Sequence, residues 1–341
     1  VGVVVAGPLS DAIGRRWPAI VALLGFCGAS LITAFAPSIE WFFAGRALQG
    51  FFASSLLVVG AAMMRDLYTG LLLVRAVGRQ MLVQSTSWFI GPFLGSAIIY
   101  FTDFRGLGLM LAGFAFLIFL LVAKSLPDTM PRETRQKHTI RELFGRFANV
   151  FKDRSFNGYV LLQVCINVAL FSYLSVAPFV YDARYGVPSN QVGIFLALNS
   201  VAAYLGAQAG ARLSLRIQPQ WVLLMALCVG GFAGAMQMAT AQFNFGFIAF
   251  TGFIALFGFG FGMTTAPIYA LSMVPHPNEA GTAQAMLGVS GMVATTAAGP
   301  LYVAVDHNSS IGIGAIMLGF MIAAVLVFFL VVQPSKLKVM T

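Results

Sequence analysis

The sequence predicts an all-α protein that crosses a membrane many times, and three observations carry the prediction. Of 341 residues, 59% are apolar and only 9% are charged, against about 25% charged in an ordinary soluble domain. The apolar residues fall in blocks of roughly 20, the helical length that crosses a ~30 Å hydrocarbon layer. The blocks lack the ten-residue alternation of a membrane barrel, which leaves helices as the way to satisfy backbone groups in lipid. So few charges cannot coat a water-facing surface, and so apolar a chain is not a disordered one.

The elements follow in order. Residues 1–6 form an apolar stub that runs into a short loop. The stub is too short for a span or a signal peptide, so about 14 further residues of its helix are expected upstream. Spans are then expected at 18–36, 41–64, 72–101, 106–126, 156–181, 189–211, 221–241, 243–273, 281–305 and 310–332. Residues 127–155 are the one long polar stretch. In it Ile140, Leu143, Phe144, Phe147, Val150 and Phe151 recur at helical spacing between charges, which predicts an amphipathic helix on the membrane surface. The expected organisation is a front half at 1–126, a cytoplasmic linker at 127–155 and a rear half at 156–341.

Charge fixes the orientation. Seventeen of the 20 Lys and Arg residues fall on one side of the spans, Arg105 and Arg184 fall on the other, and Arg46 lies within a span. The basic side is the cytoplasmic one. The net charge of +9 is thereby a matter of topology, and no nucleic-acid partner is expected. Cys27, Cys165 and Cys228 sit inside apolar blocks without a CxxC pair, so neither a disulfide framework nor a zinc site is predicted. No P-loop, GxSxG or HExxH is present, and His138, His276 and His307 are scattered in loops. No enzyme, cofactor or metal site is expected.

The two halves read as distant copies. Gly91-Pro92 and Gly299-Pro300 each lie in the last-but-one span of a half, 208 residues apart, and Gly7 and Gly210 open matching loops 203 residues apart. Such near-equal offsets indicate an internal repeat.

Three motifs carry chemistry. Gly7-Pro8-Leu9-Ser10-Asp11-Ala12-Ile13-Gly14-Arg15-Arg16 combines Gly7 for close helix approach, Gly14 for a tight reversal, Asp11 to face a helix N-terminus, and Arg15 and Arg16 to hold the loop in the cytoplasm. Arg46-Ala47-Leu48-Gln49-Gly50 places a cation inside a span. Such a residue either serves function or snorkels toward Glu40 and water. In Ser87-Trp88-Phe89-Ile90-Gly91-Pro92-Phe93-Leu94-Gly95-Ser96, Gly91 and Gly95 make a small-residue face and Pro92 bends the helix. That pattern suits either a helix that rocks or plain close packing.

These motifs resemble the signatures of the major facilitator superfamily, in order G-x-L-x-D-x-x-G-R-[RK], R-x-x-Q-G and G-x-x-x-G-P-x-x-G-G. Arg65-Asp66-Leu67-Tyr68 and Ala280-Gly281-Thr282-Ala283 extend the resemblance to its Bcr/CflA drug-resistance transporters. The resemblance implies twelve helices in two pseudo-symmetric six-helix halves, with helix 1 and most of helix 2 missing from this chain, and alternating access about a midplane site. It implies that Asp11 latches against the start of helix 11 near Gly281, that Arg46, Gln49 and Gly50 serve proton coupling with an acid of helix 1, and that Gly91, Pro92 and Gly95 mark an antiporter helix. Ser214 stands where the rear half's matching Asp would be, so the latch is one-sided. No Asp or Glu lies deep in any span present, so the coupling acid is expected in the missing helix.

Polar residues within spans are the candidates for a substrate cavity: Gln163, Asn167 and Phe171 on one helical stripe, with Asn199, Tyr204, Gln237, Thr264 and Tyr269. For each the rival role is an ordinary interhelical hydrogen bond. The Gly258-Phe259-Gly260-Phe261-Gly262 run lies in a span and reads as helix packing. The predicted function is proton-coupled export of hydrophobic or amphiphilic drugs by a monomer, multi-pass in a bacterial inner membrane. Its partners would be a drug-like small molecule, protons and the lipid bilayer. The alternatives are an exporter of a small metabolite such as a sugar or amino acid, and a non-transporting receptor or channel.

Overall fold

The computed structural model describes residues 2–68, scattered residues from 72 to 95, 97–126, 153–273, 286–296, 298 and 310–333. The regular elements among them are all helical: α1 (Gly2–Ile13), α2 (Arg16–Ala34), α3 (Ile39–Leu67), α4 (Phe104–Ser125), α5 (Arg154–Tyr185), α6 (Ser189–Leu213), α7 (Pro219–Phe243), α8 (Phe247–Met273), α9 (Met286–Thr296) and α10 (Ser310–Val327). A π-helical turn, Phe328–Val332, extends α10. The described residues between 72 and 101 are helical as well. Eight of the helices are long and apolar enough to cross a membrane, so the chain is a multi-pass integral membrane protein. The linker's amphipathic segment lies outside the described residues.

The helix ends obey local chemistry. Asp103 caps α4 by accepting the N–H groups of Arg105 and Gly106 at 3.0 and 3.1 Å, and Asp153 caps α5 through Ser155 N–H at 2.8 Å. Such caps satisfy donors that a helix start leaves without partners. Helix α5 stops at Gly186, φ +63°. The expected span 243–273 begins later, at Phe247, because Asn244 (φ +53°) and Gly246 (φ +88°) turn the chain there. Phe243 and Phe245 keep that turn apolar, which hides it from a hydropathy reading.

The first turn also differs from expectation. Helix α1 continues through the motif to Ile13, and only Gly14 and Arg15 make the reversal. Gly14 donates its N–H to the Ser10 carbonyl at 3.1 Å and then breaks the helix at φ +103°. A side chain is strained in that conformation. Gly14→Ala is expected to lower stability by about 1–3 kcal/mol, read as a lower unfolding temperature in detergent. An unchanged temperature would show that the turn relaxes freely.

Contacts divide the chain into two compact units, Val1–Ser87 with Leu94–Leu143 and Trp88–Phe93 with Phe144–Thr341. In the first, α1 packs on α3, and α2 packs on both α3 and α4. In the second, α6 packs on α8, and α7 packs on both α8 and α10. The same pairing recurs at the spacing of the sequence repeat. Each unit also carries an arginine that closes onto its last described helix. Arg16 Nη2 donates to the Ala123 carbonyl of α4 at 2.8 Å, and Arg154 Nη2 donates to the Leu330 carbonyl of the π-turn at 2.9 Å.

Glycines set the closest packing in the second unit. A methyl built on Gly206 of α6 would overlap the Phe259 carbonyl of α8, and one on Gly210 would overlap the Met263 carbonyl. In return, methyls on Gly258 and Gly262 of α8 would overlap Asn199 and the Ala203 carbonyl of α6. Positions rise together along both helices, so the two run parallel with their backbones in close approach at these glycines. Pro267 lies inside α8 and has no N–H, so the Met263 carbonyl lacks its usual helical donor. That carbonyl is the one Gly210 meets.

The core of the second unit gathers Tyr159, Tyr173, Tyr181, Leu223, Phe250, Phe257 and Phe328 at near-zero exposure. Tyr181 stacks on Phe195 at 5.3 Å and meets Phe250 edge-on at 5.5 Å. These rings join the outer ends of α5, α6 and α8.

Candidate functional site

Three places hold the residues singled out in the sequence. The first is the turn between α1 and α2. Arg15 ion-pairs with Asp11 and also with Asp66 near the C-terminus of α3, its Nε lying 2.8 Å from Asp66 Oδ2. Nη1 further donates to Ser10 Oγ at 2.7 Å, and that hydroxyl donates to the Gly7 carbonyl at 2.8 Å. The Arg15 side chain is 7% exposed, and the two carboxylates are 24% and 22% exposed. Burial pulls the guanidinium's pKa down, but the hydrogen bonds and charges of Asp66 and Asp11 outweigh it and raise the net value. The sequence reading places Arg15 in the loop-and-latch motif and gives its charge to topology. The fold instead makes it the hub that ties α1, α2 and α3 together, and Asp66 is the partner that reading missed. Its Arg-Asp pair after the span was visible, but its direction across 51 residues was not. Gly7 is half-buried, with the Val58 methyl 3.8 Å from a methyl built on it. Gly281, the expected contact of Asp11, lies outside the described residues.

The second place is in α3. Arg46 turns to Gln49 rather than to Glu40, its Nη1 donating to Gln49 Oε1 at 3.1 Å while its guanidinium lies 5.9 Å from the Phe42 ring centre. Glu40 instead accepts the Ser38 hydroxyl. Gln49 is 5% exposed and donates through Nε2 to Ser30 Oγ of α2 at 2.8 Å. Arg46 itself is exposed, and so is Gly50, where a methyl would have no neighbour within 4 Å.

The third set is dispersed through the second unit. Asn167 is buried, donates to the Gln163 carbonyl at 2.9 Å, and lies against Gly291 of α9, where a methyl would sit 3.1 Å from Nδ2. One turn on, Phe171 joins the main core to the Val168–Ala294–Ala298 cluster. Asn199 packs against Gly258, and its Oδ1 has no hydrogen-bond partner among the described residues. Gln237 is fully buried in α7 with neither end of its amide partnered among them. Thr264 turns back to the Phe261 carbonyl at 2.7 Å, a bond within its own helix. Tyr269 packs on the core half-buried, and Tyr204 is half-buried in α6. The structure therefore distributes these residues over several helix contacts instead of one described cluster. Gly91 and Gly95 are helical, with nothing described within 4 Å of a methyl built on either. Pro92 lies outside the described residues.

Comparison with known proteins adds the following. A family model described as Major Facilitator Superfamily matches residues 1–300. An uncharacterized MFS-type transporter of Bacillus subtilis, YdgK, is 30% identical over 96% of this chain and 82% of its own length. A bicyclomycin resistance protein homologue of Haemophilus influenzae is 24% identical over 83% of this chain and 71% of its own. The multidrug transporter MdfA of Edwardsiella ictaluri is 26% identical over 84% and 70%. Among solved structures, a bacterial homologue of the human lysosomal transporter Spinster aligns with a TM-score of 0.76 at 13% identity, covering 97% of this chain and 85% of that one.

Proposed function

The chain belongs to the Major Facilitator Superfamily, a family of transporters, and from that premise we propose that it exports hydrophobic or amphiphilic drugs across a bacterial cytoplasmic membrane in exchange for protons. The observation that carries the reading is Arg46. A cation within a span is costly unless it serves a purpose, and here its guanidinium is held by a buried amide and does not turn to Glu40. Relatives named for bicyclomycin resistance and multidrug transport support the choice of substrate class.

On this reading Arg46 holds a coupling carboxylate in its charged form until substrate or a proton displaces it. Gln163, Asn167 and Phe171 offer an amide beside an aromatic face to an amphiphile, and the half-buried Tyr204 and Tyr269 flank its path, while Asn199, Gln237 and Thr264 are taken up by helix packing. The Arg15 cluster with Asp11, Gly14 and Arg16 latches the cytoplasmic side between transport states, and the Gly91–Pro92–Gly95 helix flexes as they interchange. The organising halves are 1–126 and 156–341, joined by the linker 127–155.

The test is proton movement in liposomes holding the full chain and a pH dye. Ethidium is expected to drive protons opposite to itself, and Arg46→Ala to reduce that movement at least about tenfold. Movement driven by D-xylose or alanine and not by ethidium would favour a metabolite exporter. Ethidium flux without protons would end the antiport reading.

A further inference from the structure

We propose that Ser30 is a positioning residue for Arg46, acting through the orientation of the Gln49 amide. The inference rests on the reading of Arg46 as the coupling cation.

The argument is one of donors and acceptors. Ser30 is fully buried in α2, and its hydroxyl has one proton. That proton goes to the Phe26 carbonyl at 2.8 Å. Toward Gln49 the hydroxyl can therefore only accept. Gln49 Nε2 donates to it at 2.8 Å, which leaves Oε1 facing Arg46 Nη1 at 3.1 Å. A guanidinium only donates, so an amide turned the other way would set N–H against N–H. Ser30 thus decides which end of the amide Arg46 meets, and so whether the cation is held.

The helix backbones keep this line in register. A methyl on Gly45 of α3 would come within 3.1 Å of the Thr33 backbone nitrogen and 3.3 Å of the Ala29 carbonyl, and one on Gly25 of α2 would overlap the Phe52 ring. The two contacts bracket Ser30 and Gln49, so α2 and α3 approach closely on either side of the Nε2–Oγ bond. Ser30 was not among the residues singled out in the sequence, since a lone serine in an apolar span carries no motif.

Two readouts separate positioning from packing. The first is modification of Arg46 by phenylglyoxal in the purified full chain, followed by peptide mass spectrometry. Ser30→Ala is expected to raise Arg46 labelling about fivefold, the weight of one net hydrogen bond. Ser30→Thr, which keeps the hydroxyl, is expected to leave it near wild type. Arg184, in the other unit, serves as the unchanged reference. Gln49→Met keeps the side-chain volume without the amide and is expected to raise labelling equally, so the proposal remains testable should Ser30→Ala fold poorly. The second readout is ethidium-driven proton flux. Ser30→Ala is expected to lower turnover about fivefold at unchanged KM, and to add nothing in the Gln49→Met background.

Equal labelling of Ser30→Ala and wild type would overturn the proposal, as would effects of the two substitutions that multiply. If labelling behaves as expected but ethidium moves no protons in the wild type, the positioning stands and the coupling reading falls.

Discussion

Gly262→Val is expected to destabilise the protein by at least about 3 kcal/mol and to abolish its folded yield. Overpacking a well-filled core commonly costs about 1–3 kcal/mol when side chains can yield. At this site the obstacle is the Ala203 carbonyl of α6, which belongs to the backbone. Relief requires the two helices to separate, and that also breaks the reciprocal approaches at Gly206, Gly210 and Gly258. Gly206→Leu, which strikes the Phe259 carbonyl, is expected to match it. Gly252→Ala, in the same helix but with nothing within 4 Å of the added methyl, should be neutral or slightly stabilising, because alanine is the better helix former. Thermal unfolding in detergent, with yield from the membrane fraction, checks the series. A Gly262→Val protein that melts like wild type would refute the close parallel packing of α6 and α8.

The second large effect is at Arg15. Removing one partner of a fully buried ion pair costs about 3–5 kcal/mol. The carboxylates of Asp11 and Asp66 keep some access to water, which screens part of the loss, so Arg15→Ala is expected to cost about 2 kcal/mol. Asp66→Asn should cost less, since Asp11 still balances the guanidinium. If the ion pair is the shared cause, the double variant will cost no more than Arg15→Ala alone. Strict additivity would refute that. The pH dependence follows from the raised pKa of Arg15. A group whose folded pKa is raised contributes its stability in full below its unfolded value and loses it as pH climbs through the folded one. For a guanidinium both lie far above neutrality, so wild type and Arg15→Ala should differ by a constant amount from pH 6 to 9. A difference that changes across that window would show that another group governs the cluster.

Much of this protein was legible in one dimension. Span length and apolar composition depend only on the hydrocarbon thickness, so the all-helical, multi-pass class needed no coordinates. The repeat was visible because a Gly-Pro pair and a loop glycine recur at near-equal offsets of 208 and 203 residues. Gly14 declared itself by residue type, and the structure places it at φ +103°. The extent of α1 did not, because Pro8 and Ser10 look like turn residues while the Gly14 N–H to Ser10 carbonyl bond keeps the helix going.

What the sequence alone determined, then, is the class of molecule and the residues worth watching. Only the tertiary structure decided which partners they take. Arg15 finds Asp66 across 51 residues, Ser30 aims Gln49 from the neighbouring helix, and Gly206 meets Phe259 of α8, whereas Thr264 bonds back to its own turn. Hydropathy and motif spacing act along the chain, but a hydrogen bond or an ion pair is settled within about 3 Å, and helices set the residues at that distance only once they pack.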